Sequence, residues 1–490
     1  MPDVLLVGDW HLASVTAAGL TRLGYTVHVR PDAVETPGRA GFGALETPGV
    51  AGFDAVEMPG RAGFDAVEMP GQVPFDVVET PGQTPFDDAL DSPDRAAFDA
   101  LARGHRCGDE PEVAGILAAA RENGTLRPVL DETQAAEVLR HADMSLVVHD
   151  TGTAADGTVT DPRPVAALRQ LLGDHRRRGP VVVASQLRAG TCDAALADAG
   201  LQADSPDLIH IPENLRLGRA VSDFLQPART VVGCNSPHLP QAVRDLLDRL
   251  GSRDELHMRL VEAELVKHGT NAYLALCITL ANDLGTVAGH LGADPVTVLD
   301  GVRADERVAA GAPLRPGEPY AGATLHRDVR ALVEHGEPIG RDGLFRAVAH
   351  ANAVHALAPL AALDKHLEGV AERTVCLLGL TYKPGVSTLR DSAALRLADE
   401  LHAQGARVTA YDPIAETADL PDMQRRTTFT EAAADADCVV LTVEHPAFTD
   451  PAFFESATPR HALLLRLTGA ERRSRVPTPH GWRSVDLWNS

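Results

Sequence analysis

The chain has 490 residues, 44% hydrophobic and 23% charged, with a formal net charge of −23. That length divides into roughly two to four domains rather than one core, and the apolar share excludes wholesale disorder. The acidity disfavours nucleic acid and anionic membrane as partners, and no apolar run approaches the ~20 residues of a membrane-spanning helix.

The chain opens directly on a strand over residues 4–7 with no basic leader, the pattern of a cytoplasmic protein. A helix over 13–23 and a strand over 26–30 complete a βαβ start. From about 33 to 104 the sequence then repeats itself. Glu35, Glu46, Glu57, Glu68 and Glu79 each open a Glu-x-Pro-Gly unit, a step of 11 residues, and Phe42, Phe53, Phe64, Phe75 and Phe86 keep the same step. Each unit is a Pro-Gly turn followed by a short apolar segment. One Phe and a few aliphatics per unit bury little surface, so the insert reads as an exposed loop expanded by duplication. A stacked solenoid or a protein-binding arm is the alternative. Between Asp32 and Gly104 lie fourteen acidic residues and four arginines, so much of the acidity belongs to the insert and says little about substrate.

Beyond the insert, strands are expected at 146–148, 181–184 and 230–233, then a long helix over about 255–290. A second α/β pattern follows, with strands at 374–379, 407–412 and 438–443. Strands alternating with helices imply parallel, doubly wound sheets. The six cysteines (Cys107, Cys192, Cys234, Cys277, Cys376 and Cys438) are far apart and form no CxxC, so neither a metal site nor a disulfide framework is signalled. Lys+Arg total 45, yet only Lys267, Lys365 and Lys383 are lysines, which makes the place of each lysine informative.

Five ordered segments carry a resemblance. Glu110-Pro111 through Gly124-Thr125-Leu126-Arg127 is similar to "EPGL…GRL", and Ala142-Asp143-Met144 to Asp161 to "ADV…TP…DG…D". Ile211-Pro212-Glu213-Asn214-Leu215-Arg216, continuing to Asp223-Phe224-Leu225, is similar to "NPEFLREG…DFL". Glu264-Leu265-Val266-Lys267 to Asn271-Ala272 is similar to "EMIKYAANA", and Gly379-Leu380-Thr381-Tyr382-Lys383-Pro384 to Arg390-Asp391-Ser392 to "GLAFKPNTDDIRES". With these motifs the chain resembles the UDP-glucose/GDP-mannose dehydrogenase family, the nucleotide-sugar 6-dehydrogenases. The resemblance implies two Rossmann-like domains. One is an NAD-type domain over 1–235 carrying the insert, the other a nucleotide-sugar-binding domain over 369–490. A helical domain over 236–368 joins them, and its long helix pairs two chains into a homodimer. The family oxidises a sugar-nucleotide C6 alcohol to a carboxylate in two NAD-dependent hydride transfers, with a cysteine holding the intermediate aldehyde as a thiohemiacetal.

Lys267 and Asn271, four apart on a helix, project from one face. A desolvated lysine can move a proton or hold an oxyanion, and an Asn can fix a hydroxyl. By resemblance both belong to the catalytic set, as do Asp328 and Glu213, while Tyr320, Lys383 and Arg390 fall at substrate-binding positions. The family's cysteine position falls on Thr324. A threonine hydroxyl has a far higher pKa than a thiol and has no adjacent base in the motif, so it should not form the covalent adduct. Gln186 and Leu217 are further departures, at a catalytic threonine and at a second glutamate. The dinucleotide turn keeps Gly8 and, acceptably, Ala13, but places Trp10 where backbone amides approach a pyrophosphate, with Asp9 beside it. The acid expected after the second strand falls on Arg30 or Pro31, with Asp32 one step late. NAD is therefore the cofactor the resemblance implies, on a degenerate loop. The sequence reads as a diverged homologue that binds a UDP- or GDP-linked sugar with dehydrogenase activity absent or altered. The alternatives are thiol-independent chemistry on such a sugar, a single oxidation or an epimerisation, and an ordinary NAD-dependent UDP-sugar 6-dehydrogenase.

Overall fold

A computed structural model describes residues 1–8, 10–31, 93–102, 110, 112–151, 162–381, 384–387, 389, 392–415, 423–455, 457, 459, 463–467, 476 and 478–487, without the side chains of Trp10, residues 93–97, Ala323, Pro451 and Asp486. The 11-residue repeats, Asp32, Lys383 and Arg390 lie outside the described residues.

The first unit runs β1 (Asp3–Val7), α1 (Trp10–Arg22), β2 (Thr26–Arg30), α2 (Pro93–Ala102), α3 (Val113–Glu122), β3 (Leu126–Pro128), α4 (Glu132–His141) and β4 (Met144–Val147). It continues through α5 (Arg163–Gly173), β5 (Val181–Val183), α6 (Thr191–Asp198), β6 (Leu208–His210), α7 (Ala220–Leu225), β7 (Thr230–Gly233), α8 (Gln241–Leu250) and β8 (Glu255–Met258). Its strands lie in the order β3-β2-β1-β4-β5-β6-β7-β8, parallel except where His210 of β6 meets Gly233 of β7. The period of two along β1 shows why the sheet is covered on both faces. Val4 and Leu6 join the core under α1, α3 and α8, whereas Leu5 and Val7 join the core under α4, α5 and α6.

The helical middle comprises α9 (Leu260–His290), α10 (Pro295–Arg303), α11 (Ala323–Gly336), α12 (Gly343–Ala356) and α13 (Ala358–Leu367). A second sheet follows, built from β9 (Thr374–Leu378), α14 (Ala393–Ala403), β10 (Arg407–Tyr411), β11 (Gln424–Arg425), α15 (Phe429–Ala433), β12 (Cys438–Leu441), α16 (Pro451–Glu455), β13 (Leu463–Arg466) and β14 (Arg483–Asp486). Its all-parallel order is β11-β10-β9-β12-β13-β14. Both sheets therefore share the doubly wound order in which the strand sequence reverses beside the first strand, and ligands bind along the carboxyl ends at that reversal.

Two boundaries differ from the sequence reading. Helix α1 begins at Trp10, three residues before the apolar periodicity at Ala13. The expected helix over 255–290 splits, because residues 255–258 pair with β7 as β8. The helix starts only where Glu262 reaches back to accept from the Arg259 amide at 2.8 Å, closing a capping box. By length and composition α9 is apolar enough to cross a bilayer, contrary to the expectation from its sequence. Here it is a core helix that buries Glu264, Lys267 and Asn271.

Candidate active site

The buried side of α9 presents Glu264, Lys267, His268 and Asn271 within two turns, and each is less than one-tenth exposed. Spacings of three and four stack these side chains along one face. Helix α11, which packs against α9, brings up Arg327 and Asp328. Asp328 has no exposed surface.

Asp328 is the hub. Its Oδ2 accepts from the Asn271 side-chain amide, its Oδ1 lies 3.0 Å from His268 Nδ1, and Arg327 donates to it through Nε at 3.2 Å. Burial alone would raise the Asp328 pKa, but the Arg327 guanidinium and the His268 hydrogen bond outweigh it and hold the group at about 2. The charged carboxylate places the His268 proton on Nδ1. His268 Nε2 is then an acceptor, buried and without a partner among the described residues. The Gln186 amide stands 3.3 Å from the same Nδ1.

Lys267 donates through Nζ to the Glu213 carbonyl and, at 3.3 Å, to Glu213 Oε1. The Glu213 carboxylate in turn accepts from the Leu215 amide at 2.8 Å, which fixes the loop after β6. At the end of β6, His210 bonds the Val183 carbonyl at 3.0 Å, and burial pushes its pKa down to about 4, so it is neutral near pH 7. A cavity of about 490 Å³ opens on Glu213, bounded by Leu12, Thr16, Phe224 and Arg229. Such a volume suits a small-molecule ligand.

The structure thus brings together Lys267, Glu213, Asn271 and Asp328. Thr324 lies apart from them in character: it is exposed on the first turn of α11, and no described residue takes its hydroxyl as a hydrogen-bond partner. Tyr320 faces inward, its ring 4.7 Å from that of His326 and its backbone bonded both ways to Asn352. Burial pushes its phenol up to about 12. Cys192 adjoins the cluster through its backbone. Its amide and that of Gly190 donate to Glu264 at 3.0 and 2.6 Å. Burial and Glu264 raise its thiol well above the ordinary range, so it is no thiolate nucleophile.

Sequence reasoning missed His268, Arg327 and Glu264 as members of this cluster. Their partners lie across elements rather than at helical spacing, and the only sequence signal was their place inside or beside quoted motifs.

At the dinucleotide turn, Gly8 is required by packing: a Cβ there would stand 2.6 Å from the Val148 carbonyl oxygen, so the close strand approach demands glycine. Ala13 is fully buried against the core. Arg30, at the end of β2 where an acid is expected, is ion-paired to Glu132.

Three family models match the chain in order. They are described as the UDP-glucose/GDP-mannose dehydrogenase family NAD binding domain over residues 92–250, its central domain over 261–354 and its UDP binding domain over 376–464. A UDP-glucose 6-dehydrogenase of Pseudomonas aeruginosa is 30% identical over 380 residues, covering 74% of this chain and 83% of that one. The Haloferax volcanii UDP-glucose 6-dehydrogenase AglM is 31% identical over 253 residues, half of this chain and 58% of that one. Among solved structures, a UDP-glucose dehydrogenase from Pyrobaculum islandicum matches with a TM-score of 0.74 at 22% identity, covering 99% of this chain and 98% of that one.

Proposed function

The chain belongs to the UDP-glucose/GDP-mannose dehydrogenase family, and on that premise we propose that it binds a UDP- or GDP-linked sugar without carrying out the two-step oxidation to a uronic acid. The observation that carries this reading is Thr324. The loop position assigned to the thiol nucleophile by resemblance holds an exposed hydroxyl with no base bonded to it among the described residues. Cys192, which adjoins the cluster, is buried with its thiol pKa raised well above the ordinary range by burial and Glu264. Without a thiohemiacetal the second hydride transfer has no substrate.

The retained half of the site supports binding. Lys267 with Glu213, and Asn271 with Asp328, form two hydrogen-bonded pairs along the buried face of α9 that can orient sugar hydroxyls. Lys383 and Arg390, outside the described residues, supply the nucleotide end. In this reading residues 1–235, 236–368 and 369–490 act as cofactor-type, helical and nucleotide-sugar-binding units, and α9 pairs two chains.

A second reading draws on the buried His268–Asp328 pair. An imidazole oriented by a carboxylate, beside Lys267, is a proton-transfer device that needs no thiol. It would serve a single oxidation or an epimerisation on the same nucleotide-sugar. Titration of the full chain with UDP- and GDP-linked sugars, followed by incubation with NAD and product analysis, tests the primary reading. Saturable sugar-nucleotide binding with no uronic acid formed is expected.

A further inference from the structure

We propose that the chain occupies its own dinucleotide turn, the carboxylate of Asp150 sitting where the pyrophosphate of an NAD would dock. The first turn of a helix that follows a glycine turn offers unpaired backbone N–H groups, and these, with the positive end of the helix dipole, are what a pyrophosphate binds. In α1 one of those groups is already engaged by the protein itself. The Leu12 amide donates to Asp150 Oδ2 at 3.2 Å. Asp150 follows β4, the strand paired directly with β1, so it reaches the turn from the strand beside it.

The surroundings reinforce the exclusion. His11, on the same turn, lies 3.4 Å from Glu110 Oε1. Glu110 is itself buried and pinned by the Gly218 and Ala220 amides at 2.6 and 3.0 Å. Burial would lower the His11 pKa, but the Glu110 hydrogen bond and the charges of Asp150, Glu110 and Glu213 raise it. The turn is therefore lined by protein groups already bonded to one another, Asp150 to the Leu12 amide and His11 to Glu110. At the far end of the would-be cofactor, Arg30 stands at the position of the ribose-binding acid and is engaged by Glu132. Gly8 still permits the close strand approach, but a phosphate entering would meet the Asp150 carboxylate. A like charge held within about 5 Å at a protein-surface dielectric costs on the order of a hundredfold in affinity.

This inference rests on the family reading but not on Thr324, and its test reads binding rather than turnover. The full-length chain and its Asp150→Asn and Asp150→Gly variants are titrated with NADH by fluorescence and calorimetry, with circular dichroism reporting the fold. Asp150→Asn keeps an acceptor for the Leu12 amide and removes the charge, and it decides alone if the glycine variant does not fold. The expected result is no saturation of the parent chain up to about 1 mM NADH, with at least a tenfold gain in affinity on removing the charge. Saturation of the parent chain at micromolar NADH overturns the proposal, as does a charge-removing variant with unchanged affinity. Micromolar NADH binding without uronic acid formation would sink this inference and leave the Thr324 reading standing. Uronic acid formation would sink the latter.

Discussion

The carboxylate of Asp328 is fully buried, and the contest over its charge sets how the site responds to acid. Burial favours the neutral form, while Arg327 and His268 favour the ion and prevail, at about 2. A carboxylate whose pKa is lower folded than unfolded stabilises the fold above its unfolded value, and that contribution drains as pH falls through the folded one. The loss here falls between 3.8 and about 2. Asp328→Asn leaves the Arg327 guanidinium buried without its partner, and a loss of about 3–5 kcal/mol is expected from urea unfolding at neutral pH. In the same variant the fall in stability across that acid window should flatten. Lys267, Asn271 and Asp328 were legible in the sequence, because helical spacing and motif order point to them. His268 was not. Its role comes from contacts to Gln186 and Asp328, 82 and 60 residues away, which no local pattern encodes.

At the scale of elements, α1 and α7 pack so closely that Gly19 faces the ring of Phe224. A Cβ built on Gly19 would lie 2.1 Å from Phe224 Cδ1. Gly19→Ala is expected to destabilise by about 1–3 kcal/mol through overpacking. Gly115, inside α3, has open space around it, with nothing within 4 Å of where a Cβ would stand. Gly115→Ala should therefore stabilise by roughly 0.5–1 kcal/mol through helix propensity alone. Thermal or urea unfolding of the two variants side by side checks both signs. Strand β1 was readable because β-branched and aliphatic residues alternate between two cores. The β8–α9 boundary was not readable, since residues 255–258 suit a helix as well as a strand, and only pairing with β7 decides. The start of α1 was placed late for a different reason: Trp10 belongs to the stretch read as the dinucleotide turn, yet the helix already begins there.

Over the whole molecule, α9 has one face in the site and another facing outward. Tyr273, Leu280 and Val287, seven residues apart, are 46%, 49% and 54% exposed, and Leu291 beyond the helix end is 74% exposed. A seven-residue apolar step suits packing against a second helix, in keeping with the proposed pairing of two chains. Leu280→Glu should therefore convert a two-chain particle to a single chain in light scattering, and an unchanged mass would contradict that pairing. The two-sheet architecture followed from the alternation of strands and helices. The character of the site did not, since it depends on which groups the fold sets around Thr324 and Asp150. The most direct test of the central claim is NADH released and uronic acid formed per nucleotide-sugar consumed, with the full chain, NAD and a panel of UDP- and GDP-linked sugars. The account predicts a bound sugar-nucleotide and no uronic acid. Two NADH with one uronic acid per sugar would contradict it.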